Sequence, residues 1–145
     1  MTAFEEAFLF YRAARYDLHG KALLKTNPKE YIVDTGFRTW MAGYRVTDIG
    51  RLFENAVYFQ LLYEGWSVHV DKLYGKEVDF VATKDGRALY VQATDEMFAS
   101  EIGEREIAPL KAIRDNHEKI AVVRQGSYDT DIDGIRIVSA RDFFL

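Results

Sequence analysis

Two carboxylates and one amide occupy positions in the sequence where such side chains are unusual. Asp79 lies inside the apolar run KEVDFVA, although Asp is disfavoured in strands. Gln92 follows in YVQAT, beyond a turn signal, so the two residues can be neighbours on paired strands. Glu54 lies in a run that is apolar around most of a helical circumference. Because Mg²⁺ prefers oxygen ligands, the convergence of these groups would suit metal-dependent phosphodiester hydrolysis.

A helix and three strands would position these groups. The run from Thr47 to Gly65 is predicted to be a helix, because its apolar residues recur at helical spacing and Gly65 is a good C-cap. Alternation along the second strand predicts that Val78 and Phe80 share one face and that Asp79 points to the other. The three strand-like runs, separated by turn signals, are predicted to form a meander: WSVHVDKLY, KEVDFVATK and RALYVQAT.

The remaining runs complete an α/β pattern. A second helix, with Pro109 as a potential kink, is predicted over SEIGEREIAPLKAIRDNHE, and two strands over KIAVVRQ and GIRIVSA. Near the N-terminus, FLFYRAARYD and KEYIVDTG are predicted to be two antiparallel strands. From Thr47 the order is helix, three strands, helix and two strands, which indicates helices on a mixed sheet and therefore the α/β class.

Composition excludes several classes of chemistry. The chain has 145 residues, 48% of them apolar, which is enough for one sizeable core. Absence of cysteine excludes thiolate nucleophiles, disulfides and cysteine–zinc sites, and fits a cytoplasmic protein. No apolar run approaches a membrane span, and no GxxxxGK(S/T) motif is present for ATP binding. His19, His69 and His117 lack metal-like spacing and are assigned no chemistry.

Charge is divided unevenly along the chain. Residues 1–45 hold 7 Lys/Arg and 5 Asp/Glu, whereas residues 46–145 hold 12 and 18. A domain that grips DNA normally has a strong basic surplus, because each neutralised phosphate needs a cation. Weak, sequence-independent contacts with DNA phosphates are therefore expected only from the front segment, through Arg12, Arg15, Lys21 and Lys25. The acidic remainder is suited to a basic surface on a protein partner.

The order of the motifs carries a family resemblance over nearly the whole chain. The chain resembles the C-terminal domain of unknown function of prokaryotic AAA ATPases, a restriction-endonuclease-like relative of the PD-(D/E)XK nuclease superfamily. A single motif such as EVD would be weak, whereas the ordered series is specific. The matching strings are YIVDTGFR, DIGRLFENAVYFQLLYEGW, GKEVDFVA, YVQAT, EREIAPLKAIRDN and ARDFFL.

The resemblance implies two parts and a catalytic template. Residues 47–145 would form the restriction-endonuclease-like αβββαβ core, and residues 1–46 the wing strands and a short helix left from a winged helix. Glu54 would correspond to the carboxylate of the helix, Asp79 to the metal-binding Asp, and Gln92 to the Glu of the E-x-K element. Thr94 falls on the position of the catalytic Lys. The implied partners are the ATPase domain of a parent protein, DNA bound weakly, and a second copy of the chain.

The departures from this template predict a degenerate centre. Gln92 is neutral, and Thr94 cannot supply the positive charge that stabilises the transition state. We therefore expect a non-catalytic module that handles nucleic acid or docks a partner. The alternative is an active Mg²⁺-dependent endonuclease or resolvase, in which Glu54 and Asp79 hold the metal and Lys76 supplies the missing cation.

Each residue of the centre also has a purely structural interpretation. Glu54 would then be a surface acid paired with Arg51 or Lys72. Asp79 would be a strand-edge residue beside a turn, and Gln92 a hydrogen-bonding group within the sheet.

Overall fold

The structure is a computed structural model and describes residues 9–17, 22–24, 27–43, 45, 48–73, 76–97 and 100–145. The strands are β1 (Phe10–Ala13), β2 (Arg15–Asp17), β3 (Ala22–Leu23), β4 (Lys29–Ile32), β5 (Ser67–Leu73), β6 (Lys76–Lys84), β7 (Arg87–Met97), β8 (Glu118–Gly126), β9 (Asp131–Ile132) and β10 (Ile135–Ser139). The helices are α1 (Thr35–Ala42), α2 (Ile49–Tyr63), α3 (Ser100–Lys111) and α4 (Ala140–Phe144).

Within the described residues, the central sheet has eight strands in the order β3-β2-β5-β6-β7-β8-β10-β9. Strands β5, β6 and β7 are antiparallel neighbours and form the predicted meander. Strand β8 runs parallel to both β7 and β10. Parallel and antiparallel pairs in one sheet with flanking helices confirm the predicted α/β class with a mixed sheet.

The N-terminal segment contributes to two sheets. Strand β1 pairs antiparallel with β4, with Phe10 opposite Ile32, as predicted for these two runs. After Ala14, however, the chain continues as β2, which pairs in parallel with β5. Strand β3 then pairs antiparallel with β2. The first predicted strand is therefore divided, and part of the segment 1–46 extends the central sheet.

Helices cover both faces of the sheet and create two hydrophobic clusters. On one face, Val57 and Leu61 of α2 are fully buried against Phe80 and Val91. The other face carries the cluster that contains Ile107 and Leu110 of α3 together with Tyr90 and Val123 of the sheet. Each fully buried side chain of this size contributes about 1.5–3 kcal/mol. The two hydrophobic clusters thus hold the sheet between α2 and α3.

The ends of the helices follow their capping residues. Helix α2 occupies most of the predicted run, and Gly65 follows it with a φ of 83°, which a glycine adopts without strain. Helix α3 ends at Lys111, well before the end of its predicted run. Asp115 instead accepts a hydrogen bond from the His117 backbone N–H and turns the chain toward β8. No helix in the described ranges has both the length and the apolar character needed to cross a membrane.

A bulge in β6 overturns the alternation predicted around Asp79. His69 pairs with Val81 and Asp71 with Val78, so that Val70 faces both Asp79 and Phe80. The extra residue changes the face to which the following side chains point. As a result, Val78 belongs to the cluster under α3, whereas Phe80 belongs to the cluster under α2. The prediction that Val78 and Phe80 share a face was therefore wrong.

Candidate functional site

Asp79 lies at the bulge of β6 and is held by the neighbouring strand. Its Oδ2 accepts a hydrogen bond of 2.9 Å from the Ala93 backbone N–H. Its own backbone N–H donates to the Oε1 of Gln92 at 3.4 Å. Bulges leave backbone groups without a partner in the ladder, and here two side chains satisfy them. Asp79 and Gln92 therefore join β6 to β7 where regular pairing has stopped.

Glu54 is directed from α2 toward strand β4. Its Oε1 accepts a hydrogen bond of 2.8 Å from the Tyr31 hydroxyl and lies 2.5 Å from the Nζ of Lys29. The Glu54 side chain is only 15% exposed, whereas that of Lys29 is 38% exposed. Lys29 and Tyr31 are two positions apart on a strand, so their side chains share a face and reach the same carboxylate.

The next residue of α2 strengthens the contact with β4. The Asn55 side chain accepts a hydrogen bond of 2.9 Å from the backbone N–H of Ile32. It also donates one of 2.7 Å to the carbonyl oxygen of the same residue. An amide side chain that pairs with both backbone groups of a residue mimics a neighbouring strand. Glu54 and Asn55 together fasten β4 to the helix.

Burial and charge shift the acidity of the centre. Burial and, after it, the nearby charge of Glu54 raise the pKa of Asp79 to about 7, although the Ala93 N–H and the charge of Lys29 oppose the rise. The pKa of Tyr31 is also raised, mainly by burial and then by the charge of Glu54. Tyr31 is 3% exposed and its ring stacks on Tyr58 with centroids 4.0 Å apart. It therefore remains a neutral donor to Glu54.

The predicted site residues are brought together to different degrees. Glu54 lies close enough to Asp79 for its charge to raise the pKa of that carboxyl. Gln92 contacts the backbone of Asp79, and its side chain is buried. Thr94 is 2% exposed, and its buried Oγ1 has no hydrogen-bond partner among the described groups. The two positions predicted to correspond to the E-x-K element, Gln92 and Thr94, therefore hold neutral, buried side chains.

The cation beside the carboxylates was missed by sequence reasoning. The predicted partners of Glu54 were Arg51 and Lys72, but its ion pair is made by Lys29. The side chains of Lys72 and Lys76 lie outside the described residues. The period-2 placement of Lys29 and Tyr31 in KEYIVD was the available signal, since it puts both polar groups on one face of a strand. Nothing local to that run indicated which helix the face would meet.

The residues of the centre do not fit a divalent metal ion. Within the described part of the chain, no three His, Cys, Asp or Glu side chains form a group that could hold one. The Oε1 of Glu54 already accepts from Lys29 and Tyr31, and the Oδ2 of Asp79 accepts from a backbone N–H. Mg²⁺ needs several oxygen ligands in near-octahedral geometry, and the Lys29 ammonium already pairs with the Glu54 oxygen that would be one of them.

Two clefts have Lys29 in their lining. One has a volume of about 380 Å³ and is lined by Arg15, Lys29, Val70, Val78 and Asp79, together with Pro28 and Glu30. The second has a volume of about 600 Å³ and its lining includes Lys29, Tyr31, Arg38, Met41 and Glu54. Lys29 and Glu30 thus line both the cleft that reaches Asp79 and the cleft that reaches Glu54.

The predicted phosphate-binding cations are described only in part. The Nε of Arg12 donates to Glu30 at 3.2 Å, and the Nε of Arg15 donates to the carbonyl oxygen of Asn27 at 3.1 Å. Lys21 and Lys25 lie outside the described residues. Arg12 lies on β1 and Arg15 on β2, which are consecutive strands of the chain in different sheets.

The histidines remain separate from this centre. His69 is half-buried on β5, and burial lowers its pKa. His117 contacts the ring of Tyr90 near the start of β8. His19 lies outside the described residues. The hydrogen bonds given above for Glu54 and for the Asp79 carboxylate involve Lys29, Tyr31 and the Ala93 backbone, and neither described histidine.

This chain is similar to one part of a longer protein. An uncharacterized protein of Haemophilus influenzae is 43% identical over 143 residues, which are 97% of this chain and 34% of the relative. The chain therefore spans about a third of the length of the curated relative that it matches. No family model matches the chain, and no solved structure shows a significant match.

Proposed function

We propose that this chain is a C-terminal, restriction-endonuclease-like domain of an AAA-type ATPase that no longer cuts nucleic acid and instead docks the ATPase part of its parent. The observation that carries the loss of catalysis is the state of the E-x-K positions. The side-chain oxygen of Gln92 accepts a hydrogen bond from the backbone N–H of Asp79, and Thr94 is a buried neutral residue. A metal-dependent nuclease needs a ligand at the first position and a cation at the second.

The longer relative supports a docking role. About two thirds of the Haemophilus protein lies outside the matching segment, so a domain of this kind occurs covalently beside other polypeptide. The ordered motif series identifies that polypeptide, by resemblance, as the ATPase part. Two domains of one chain normally share an interface, which requires a surface suited to burial.

Helix α1 offers such a surface, formed by Phe37, Trp40 and Met41 and called the α1 surface below. These residues are spaced three and four apart and therefore share a helical face. Trp40 is 82% exposed and Met41 is 67% exposed, while the Phe37 and Trp40 rings stack with centroids 6.1 Å apart. Exposed groups of large apolar side chains mark interaction sites. Aromatic residues of this kind often dominate the binding energy of an interface.

The α1 surface is presented by a firmly anchored helix. Asp34 caps its first turn by accepting hydrogen bonds from the backbone N–H groups of Gly36 and Phe37. Arg38 forms two contacts, of 3.1 and 3.0 Å, with the carboxylate of Asp48 at the start of α2. A paired guanidinium and carboxylate fix orientation as well as distance. The helix is therefore preorganised, which lowers the entropic cost of docking.

The docking proposal is tested with the part of the Haemophilus relative outside the matching segment, prepared as a separate polypeptide. We expect it to bind this chain, and we expect Trp40→Glu to weaken binding by about tenfold or more, since a buried aromatic anchor contributes at least about 1.4 kcal/mol. Tyr63→Glu is the matched control, because Tyr63 is 87% exposed but lies at the end of α2. Lack of binding, or equal loss in both variants, would contradict docking through the α1 surface.

The catalytic part of the proposal is tested by incubation with DNA and RNA substrates. We expect no cleavage of linear, branched or single-stranded DNA, or of RNA, with Mg²⁺ or Mn²⁺. An active nuclease is the second candidate, and the proximity of the Glu54 and Asp79 carboxylates favours it. Metal-dependent cutting that is abolished by Asp79→Ala would establish that candidate and reject ours.

A further inference from the structure

The centre already contains a positive charge, and it comes from outside the helix and strands that supply the carboxylates. Lys29 belongs to β4, 25 positions before Glu54, and its Nζ lies 2.5 Å from the Oε1 of that residue. In a metal-dependent centre this carboxylate would be a ligand of the metal ion. Here the Glu54 carboxylate is instead paired with an ammonium group of the same chain.

We infer that the Lys29 ammonium is the resident cation of this centre: it takes the place of the divalent metal ion, closes the centre to Mg²⁺ and binds strand β4 to helix α2. The inference rests on the proposed nuclease-like ancestry of the centre. It adds the identity of the group whose positive charge now offsets the negative charge of the carboxylates.

Lys29 is held in place by its strand. Ala13 of β1 pairs with Lys29 in the β1–β4 ladder. Asn55 holds both backbone groups of Ile32, three residues further along the same strand. The backbone of the strand that carries the Lys29 side chain is thus held on two sides.

The ion pair also differs from an ordinary surface pair. Exposed pairs contribute little, because water screens both charges. Glu54 is 15% exposed and shares its Oε1 between Lys29 and the buried hydroxyl of Tyr31. Removal of the ammonium would leave a shielded carboxylate next to a second one at Asp79. Such an arrangement attracts a cation.

The inference predicts that metal affinity depends on Lys29. In the wild-type protein we expect no Mn²⁺ binding that depends on Glu54. The concentration of free Mn²⁺, measured by electron paramagnetic resonance, should therefore be the same with the wild type and with Glu54→Gln. In Lys29→Met, which keeps the aliphatic stem but removes the charge, we expect Mn²⁺ to bind at least about tenfold more tightly. The double variant Lys29→Met/Glu54→Gln is expected to lose that gain.

A matched control separates this effect from the removal of any lysine. Lys111 lies 2.7 Å from the Oδ2 of Asp133 in an ion pair far along the chain from the centre. Lys111→Met removes the same charge from a lysine–carboxylate pair and is expected to leave Mn²⁺ binding unchanged. Lys29→Arg keeps the positive charge and is also expected to leave it unchanged.

Two results would overturn the inference. The first is Mn²⁺ binding by the wild-type protein that Glu54→Gln abolishes, a measurement that requires no change at Lys29. The second is a folded Lys29→Met protein that gains no affinity. These outcomes are distinct from failure of the proposed function. A wild-type protein that binds Mn²⁺ without cutting would reject only the inference, whereas cutting without a Glu54-dependent metal would reject only the loss of catalysis.

Discussion

Asp79 is the described carboxyl group whose pKa is most strongly shifted by the fold. Its carboxyl group is shielded from water beside Glu54, and its pKa is raised from 3.8 to about 7. The folded state therefore binds a proton on Asp79 more strongly than the unfolded state does. For a carboxyl with a raised pKa, the favourable contribution is present below the unfolded pKa and is lost as the pH rises through the folded pKa.

This coupling predicts a pH-dependent effect of Asp79→Asn. Asparagine is neutral and can still accept the hydrogen bond from the Ala93 N–H. We expect the variant to match the wild type near pH 4 and to be more stable by about 1–3 kcal/mol near pH 8. The free energy of unfolding by urea, measured between these two values, checks the prediction.

The exposed acid Glu118 provides the control for this measurement. Glu118 forms a surface ion pair with Arg136, and its side chain is 56% exposed. Glu118→Gln is expected to show no such gain in stability as the pH rises. A pH-independent difference between Asp79→Asn and the wild type would show that Asp79 ionises as freely as a surface carboxyl.

At the scale of elements, the contact between α2 and β4 assembles the centre. Glu54 and Asn55 are consecutive on α2 and bind alternate residues of β4 together with its backbone. The β1–β4 pair is a separate two-stranded sheet and cannot rely on ladder bonds to the central sheet. Isolated two-stranded sheets are only marginally stable in water. Side-chain bonds from the helix therefore have a large share in holding this pair.

Asn55→Ala is expected to loosen the β1–β4 pair without unfolding the central sheet. The substitution removes partners from the backbone N–H and carbonyl of Ile32, at a cost of about 2–3 kcal/mol. Faster hydrogen exchange at the Ile32 amide, with the amides of β7 and β8 unchanged, is the expected readout. Asn116→Ala, at an exposed position before β8, is the control and should change neither. Uniformly faster exchange in every strand would contradict the local effect.

At the scale of the whole molecule, the charge split limits what the surface can bind. The segment before residue 46 carries a small positive excess, and the remainder is acidic. Arg12 and Arg15 already donate hydrogen bonds to Glu30 and to the carbonyl oxygen of Asn27, so both guanidinium groups are engaged within the chain. Strong electrostatic binding of DNA is therefore unfavourable, in agreement with a docking role.

We expect any binding of DNA to be weak, independent of sequence and sensitive to salt. Each phosphate contact contributes a slope of about −0.9 in log affinity against log salt, so a few contacts give a shallow dependence. Fluorescence anisotropy at two salt concentrations should show this slope and its reduction in Arg12→Glu/Arg15→Glu. Arg114→Glu, at an exposed position after α3, is the control. Tight binding that resists salt and survives the double substitution would place a nucleic-acid surface elsewhere.

Local patterns in the sequence were sufficient for most of the elements. Helix α2, the three strands of the meander and the glycine at the end of α2 were predicted from period and turn chemistry. These features depend on residues only a few positions apart, whose side chains select a backbone conformation and a buried face. The motif order also singled out Glu54 and Asp79, which the fold does bring near each other.

The tertiary structure alone decided how those elements meet. The bulge opposite Val70 puts Val78 and Phe80 in different hydrophobic clusters, a register shift that depends on pairing with another strand. The division of the chain after Ala14 places β2 in the central sheet, because β5 offers it an edge. Lys29 reaches Glu54 across 25 positions only because Asn55 fixes β4 on the helix. Each of these contacts joins distant segments, and periodicity within one segment carries no information about its partner.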